Sequence, residues 1–577
     1  MVATAQASSR PSEAHRASSD LALAFRWRRF GATLAIVTVA TAAAWATFCP
    51  PFYLENDDVS IRMALEGRTA PGQPPTGFVL GIHVLMGWAV VAAQRVLPTI
   101  PWWDVALAGT LIWALSVLVA LLWDGLGSTW LARATAEGVL FVAMAPLLAG
   151  LQFTISATLA GGAALLLVVT ELGPGRRRAS VLVMASLLFT AGLLVRPMGA
   201  PAGAVATAVL LLPLVRARQW RLALVPGCIA VAGMSYLAAQ QLDRALFATS
   251  PEWDHYYRYN EIVQLLEWGT GLWQAHRAEI QTSVGWSTND WSMLLASLGV
   301  DPVVHGFDRV NRAHETFAAL SDGIGVQWLV ARALDAPLDT LWDLLNDSAH
   351  IVVAGSVLAG TLGSRRAAAD TLALLVLFVA VCFGIDMIFD RLPFRLLGPL
   401  QVLVAAVMVV TIGASRRSVS PWRGVVALGA ILAIVVPELS ATTRQAVDRR
   451  NRSLEVVGVE AAALQRLSPS LVVHSGRFPR EFWWRPFHAQ DAELPAVGLG
   501  WNNQNPQVQR FLSDTGRQPL LRALCTSPSI LFVADEVSLD LVTRYVKEHF
   551  DNSVEWTQVY AGTFSAWRCS AAQPLSP

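Results

Sequence analysis

The chain has 577 residues, of which 54% are hydrophobic and 15% charged, with a net charge of +1 at neutral pH. Its mean hydropathy of +0.46 exceeds that of a soluble globular protein, and apolar runs long enough to cross a hydrocarbon core of about 30 Å recur along it. The balanced charge gives no ground for a nucleic-acid partner, and continuous rather than alternating apolar runs argue against a β-barrel. Every basic residue except Lys547 is an arginine, so an arginine alone is weak ground for a phosphate site.

In chain order, residues 1–30 read as a cytoplasmic N-terminus, Ser/Ala/Arg-rich and expected to be disordered. The run 31–49 follows "RWRRF" and has no small-residue cleavage site before the acids, so it reads as a retained first helix. Arg26, Arg28 and Arg29 place its start in the cytoplasm. Further apolar segments span roughly 78–96, 103–122, 135–150, 154–171, 179–195, 199–215, 221–239, 348–363, 367–388, 396–413 and 422–439. The arginines of "GRRRAS", "RARQWR", "SRRAAA" and "SRRS" all belong on the cytoplasmic side. From residue 176 onward the alternation satisfies them. Before it, one crossing is in excess: either 78–96, or one of the pair 135–150 and 154–171.

The expected fold is an α-helical polytopic membrane protein of about 11–13 transmembrane helices, occupying 31–440, with outer loops 50–77 and 240–345. Residues 441–577 have short apolar runs. "SLVVHSG", "SILFVADE", "SLDLVTRYVKEHF" and "VYAGTFSAWRC" read as strand, strand, helix and strand of a small extracytoplasmic α/β domain. Cys525 and Cys569 fall in this domain, where an oxidising compartment would permit a disulfide. Cys49, Cys228 and Cys382 sit in or beside apolar segments as small hydrophobes.

The densest polar cluster, "FYLENDDVS", follows the first apolar run. Glu55, Asp57 and Asp58 have two readings there. They can cap a short helix, with Asp58 and Arg62 forming an i,i+4 surface pair. Alternatively, a carboxylate acts as general base on an acceptor hydroxyl. Arg196 in "LLVRPMGA" and Arg391 and Arg395 in "FDRLPFRLLGP" lie between apolar segments with almost no loop, positioned to meet an anion at the membrane boundary. The bland reading is snorkelling, or pairing with Asp386 and Asp390.

In the second loop, Trp253, Tyr257 and Asn260 share a helical face, a pattern suited to sugar stacking or to an interfacial belt. Trp286, Asn289 and Asp290 in "GWSTNDWSM" are candidates to line an acceptor site or to join Asp57 around a metal. No spacing fixes a metal site; a divalent cation, magnesium or manganese, is left open. His83 lies in an apolar segment, where packing is the commoner role. Gln152 and Thr154 mark a helix break.

A first helix, an outer loop with paired acids, and a proline-containing entry to the next apolar segment ("PPTGFVLGIHVL") resemble the GT-C class of glycosyltransferases. That resemblance implies a bacterial plasma-membrane enzyme taking sugar from a polyprenyl-phosphate donor to a glycan, lipid or protein acceptor on the outer face. It implies a catalytic role for Asp57 or Asp58 and lipid-phosphate binding by Arg196, Arg391 and Arg395. Glu55, Arg62 and His83 would then border the substrate. Two other readings stand beside it: a transporter or flippase of lipid-linked sugars, and a non-catalytic envelope assembly protein. No internal repeat supports the former.

Overall fold

The computed structural model describes residues 13–47, 49–125, 147–171, 179–212, 224–268, 276–296, 298–299, 301–321, 365–389, 394–413, 421–475, 484–488, 494–499, 504–550 and 554–571. Helix α1 (Glu13–Thr47) begins well before the apolar run. Residues 13–30, expected to be disordered, are therefore helical, consistent with the helix-forming Glu, Ala, Leu and Arg among them; residues 1–12 lie outside the described residues. Pro50 and Pro51 follow its end and preclude continuation. A short strand β1 (Phe52–Tyr53) and helix α2 (Asn56–Leu65) come next. The end of the bundle that carries them is called the lip below.

Of the two candidates for the excess crossing, 78–96 is the one too short to span. Helix α3 (Val84–Val96) has only 13 residues, about 20 Å at 1.5 Å per residue, short of a hydrocarbon core. Hydropathy runs on through 78–83, but Gly81 takes φ +91° there and His83 caps the helix by accepting a hydrogen bond from the Leu85 N–H. Helix α4 (Trp102–Gly125) leaves the lip, and the chain is back at it in strand β2 (Gly150–Leu151), which pairs in parallel with β1. Without a crossing at 78–96, the alternation expected from the sequence assigns residue 176 to the cytoplasmic side, as the charge of "GRRRAS" requires. The break foreseen at Gln152 is present. Its side-chain oxygen accepts from the Ile155 N–H at the start of α5 (Phe153–Glu171).

Among the described residues, three helices are long and apolar enough to span a membrane, within α1, α4 and α5, and five shorter apolar helices accompany them. Segments 126–146 and 322–364, which carry the expected runs at 135–150 and 348–363, lie wholly or mostly outside the described residues. Helix α5 is the hub: 89% of its apolar stretch is buried, against 11% for α1. It packs against α6 (Ala179–Val195) and α7 (Gly199–Leu210) through small residues. A β-carbon on Gly161 would run into the Ala200 carbonyl, and one on Gly203 into the Thr158 carbonyl. Such backbone approach replaces the hydrophobic drive that lipid cannot supply between helices.

Helices α8 (Leu224–Phe247) and α9 (Pro251–Trp268) lead into α10 (Arg277–Val284), α11 (Thr288–Leu295) and α12 (Phe307–Ser321). The bundle resumes with α13 (Arg365–Phe389), α14 (Phe394–Gly413) and α15 (Pro421–Glu455). Helix α15 runs through residue 440 unbroken and carries the chain from bundle to sheet domain.

That domain is a five-stranded sheet ordered β4-β3-β5-β7-β6, built from β3 (Leu471–His474), β4 (Ala496–Gly498), β5 (Ile530–Val533), β6 (Val554–Ala561) and β7 (Ser565–Ala571). Strands β4, β3 and β5 are parallel; β6 and β7 form an antiparallel hairpin. The single strand expected over "VYAGTFSAWRC" is thus two, turning at Gly562–Thr563. Helices α16 (Pro506–Asp514), α17 (Leu520–Thr526) and α18 (Glu536–Phe550) cover the sheet, and Cys525 of α17 is disulfide-bonded to Cys569 of β7. Cys49, Cys228 and Cys382 are free thiols. Trp286, Trp291 and Val310 of the second loop enter the same core as Leu471, Phe532 and Tyr545, so the loop and the C-terminal region fold as one unit.

Replacing Gly161 by valine should force α5 and α7 apart and destabilise the bundle by about 1–3 kcal/mol. Thermal unfolding of the detergent-solubilised protein measures this as a lowered midpoint, with Gly429→Val as control, since nothing lies within 4 Å of a β-carbon there.

Candidate active site

The acids at the lip do not cap α2. Glu55 holds the N-cap position without a side-chain capping bond. Its carboxylate instead accepts from Arg395 Nη1 at 2.6 Å, and the same nitrogen reaches Asp57 Oδ2 at 3.3 Å. Arg395 stands in the first turn of α14, more than 300 positions away in sequence. Asp57 keeps 46% of its side chain exposed.

Asp58 behaves differently. It is fully buried, with one oxygen accepting from the Phe153 N–H at 3.0 Å. That N–H opens α5 and has no intrahelical partner, so the carboxylate serves the positive end of the hub helix. The other oxygen, Oδ2, is buried without a hydrogen-bond partner. Burial pushes the Asp58 carboxyl well above the usual carboxylate range; the Phe153 N–H opposes this, and the neighbouring Asp57 and Glu55 charges reinforce it.

Arg196 completes the group. Its guanidinium lies 4.8 Å over the Phe153 ring and donates to the Gly81 carbonyl at 3.0 Å. Asp58 and Arg196 thus meet at one residue, Phe153, through its backbone and its ring. Burial lowers the Arg196 pKa to about 10, with Arg395 acting in the same direction and Asp57, Asp58 and Glu55 opposing it. It stays charged at neutral pH. Segments near 55, 81, 153, 196 and 395 therefore converge on one polar cluster at the lip. Arg391 lies outside the described residues.

Other predicted residues have other partners. Arg62 does not pair with Asp58 at the surface. It has 2% of its side chain exposed and bonds Asp104 at 3.1 Å, Glu66 at 2.7 Å and the Tyr53 hydroxyl at 3.0 Å. It also donates to the carbonyls of Arg485 and His488. Tyr53 in turn hydrogen-bonds Asp104, whose carboxylate accepts from the Phe487 N–H. Asp104, Tyr53 and segment 484–488 were missed in the sequence. A lone acid inside the apolar run 103–122 was the available signal. His83 caps α3 and lies 3.6 Å from Asp243.

The candidates of the second loop have partners other than the lip acids. Trp253 stacks on Phe78 with centroids 5.3 Å apart, and Tyr257 packs on Phe247 at 4.7 Å. Asn260 is buried and donates to the Tyr256 carbonyl. Trp286 donates to the Val304 carbonyl. Asn289 donates to the Leu541 carbonyl at 3.3 Å. Asp290 forms a capping box with Ser287 at the start of α11 and lies 2.7 Å from His549 Nε2. It therefore does not join Asp57. Among the described residues, Asp290, Glu548 and His549 are the group whose ligand atoms crowd within 4.8 Å, and they belong to the sheet domain. At the lip, a divalent cation would have to displace Arg395 from Glu55 and Asp57.

No protein-family model and no curated protein matches the chain. The structure is similar to two crystal structures of ArnT from Cupriavidus metallidurans. For the one bound to undecaprenyl phosphate, identity is 14%, with 94% of this chain and 99% of that chain covered and a TM-score of 0.36. For the apo state, identity is 12%, with coverage of 93% and 97% and a TM-score of 0.36. At that depth of likeness, the functional reading rests on the lip geometry.

Two outcomes are expected from these environments. Arg62→Ala leaves Asp104 buried and unpaired and should cost about 3–5 kcal/mol, read as a lowered unfolding midpoint and faster proteolysis around 484–488. Asp58 binds its proton more tightly folded than unfolded, so the folded state carries more protons and stability falls as pH rises above the unfolded-chain value of about 3.9. Asp58→Asn removes that ionisable group. Its unfolding midpoint relative to wild type should therefore rise between pH 4 and pH 8, as measured by thermal scans across that range.

Proposed function

We propose that the protein is a membrane glycosyltransferase of GT-C type that moves a sugar from a polyprenyl-phosphate donor to a glycan, lipid or protein acceptor. The observation that carries the reading is the meeting of the exposed Asp57 with Arg395, beside Arg196, at the end of apolar spanning helices. A half-exposed carboxylate next to two guanidiniums at a membrane boundary supplies the two things the reaction needs.

In this reading the donor phosphate binds Arg196 and Arg395, which offset its charge. Drawing Arg395 toward phosphate loosens its hold on Asp57. The acceptor hydroxyl oxygen then attacks the anomeric carbon as its proton passes to the Asp57 carboxylate. The bond from the anomeric carbon to the phosphate oxygen breaks, and the electron pair leaves on the polyprenyl phosphate. Asp58, sealed from solvent, is a positioning residue that anchors the start of α5. The sheet domain and second loop border the acceptor side. The lip and the sheet domain face the outside of the plasma membrane. The arginine distribution and the Cys525–Cys569 disulfide support that orientation.

The test is Asp57→Asn and Asp58→Asn in a deletion host, with envelope glycans profiled by mass spectrometry and membrane levels of each variant verified. Asp57→Asn should lower transfer by about 10²–10⁴-fold and remove one hexose or pentose, whose mass names the sugar. Glycans that survive both changes at normal protein level would turn the reading toward transport or scaffolding.

A further inference from the structure

The stretch "PPTGFVLGIHVL" does more than lead into α3: it brings Gly81 against Arg196. The Gly81 backbone takes φ +91°, a conformation that strains any residue with a β-carbon. The turn is pinned on both sides. Phe78 stacks on Trp253 of α9 with centroids 5.3 Å apart, and the His83 N–H donates to the Leu194 carbonyl at 3.0 Å. Leu194 lies in the last turn of α6, and Arg196 follows that helix directly. The glycine and the arginine are therefore held to the same helix end.

The contact between them is close and directional. The Gly81 carbonyl accepts from Arg196 Nη1 at 3.0 Å. A β-carbon on Gly81 would stand 2.9 Å from that same nitrogen, but 3.5 Å and 3.7 Å from atoms of the Phe153 ring. The ring would meet the added carbon at ordinary contact distance; the guanidinium would not. The far end of a long side chain can shift between staggered rotamers, so the substitution would turn the guanidinium before it disturbed the packing around it. A guanidinium carries five N–H donors in a fixed planar fork. Here one nitrogen is held by the Gly81 carbonyl and one face lies 4.8 Å from the Phe153 ring centroid, which sets the plane of the fork. Among the described residues, Nη2 and Nε of Arg196 have no hydrogen-bond acceptor.

We infer that Gly81 is a positioning residue: its carbonyl and its missing β-carbon together fix the Arg196 guanidinium so that the remaining donors meet the phosphate of the polyprenyl donor. The inference rests on the donor-binding role given to Arg196 above. Recognition of phosphate by a guanidinium depends on the angle of the fork as well as on its charge. Turning the fork therefore weakens phosphate binding even though the positive charge stays at the lip.

The experiment is a double-mutant cycle on the full chain in nanodiscs, with polyprenyl monophosphate titrated and its Kd read by native mass spectrometry. Gly81→Ala should weaken binding by about tenfold, the scale of one hydrogen bond to a charged group. In an Arg196→Lys background there is no Nη1 to displace, so the same change should weaken binding by less than about twofold. A thermal midpoint confirms that each variant is folded. Gly81→Asn, which tolerates a left-handed backbone better, takes the place of Gly81→Ala if the latter does not fold. Equal weakening in both backgrounds would assign the loss to backbone strain and overturn the inference. Unchanged binding by a folded Gly81 variant would overturn it too. Wild type that fails to bind polyprenyl monophosphate, or Arg196→Ala that binds it as tightly as wild type, would overturn the donor-binding reading of Arg196 itself, and the inference with it.

Discussion

Arg62 is buried to within 2% of its side-chain surface, and its guanidinium binds a carboxylate from α4, a carboxylate from its own helix, a phenol from β1 and two carbonyls from segment 484–488. An arginine in that position is stable only if nearly every donor is used. The requirement fixes three separate pieces of chain at once. It sets the height of β1 and α2 relative to the first turn of α4, where Asp104 stands. It also ties the sheet domain to the bundle, because the side chain that donates to the 485 and 488 carbonyls comes from α2. Trp484, with Arg62 and Arg68 on its face at 5.2 Å and 5.6 Å, closes the cluster from above. The lip acids sit one turn away on the same short helix, so their placement depends on this clamp.

The lip itself is a balance of opposite charges at different depths. Three carboxylates face two guanidiniums, but the five do not share one environment. Asp58 is enclosed, and its charge is disfavoured there. Asp57 is half-exposed and gains from Arg395 without being sealed in. Burial divides two adjacent residues of the same type into distinct environments, one enclosed at the start of α5 and one open to solvent. Successive positions on a helix point about 100° apart, which is how two neighbours reach opposite surroundings.

The sequence made some of this plain and hid the rest for physical reasons. Arg196 and Arg395 stood out because a charge between apolar segments with little loop has few places to go, and the structure puts both beside the acids. The long apolar helices α4 and α5 were visible in hydropathy alone. Segment 78–96 misled because hydropathy counts apolar residues without asking whether the backbone is helical; Gly81 and the cap at His83 decide that. Arg62 was read through local i,i+4 spacing, whereas its partner Asp104 is 42 positions away. The polar residues of the second loop resembled a binding surface by composition. They turned out to pack rings, caps and carbonyls within the protein, something one-dimensional spacing does not distinguish.

The pairing of Arg395 with Glu55 and Asp57 bears on how such a site avoids idle ionisation in low-dielectric surroundings. An exposed base beside a membrane would otherwise repel an incoming phosphate, since both are anions. With Arg395 between them, the approaching phosphate meets a guanidinium already oriented by two carboxylates at 2.6 Å and 3.3 Å. In the proposed reaction, phosphate takes up that cation and draws it away from the Asp57 carboxylate. On that proposed reading, the group that anchors the donor is also the group that releases the carboxylate for the acceptor. Coupling of this kind requires that one side chain touch both, and at the lip Arg395 holds the acids while sensing Arg196.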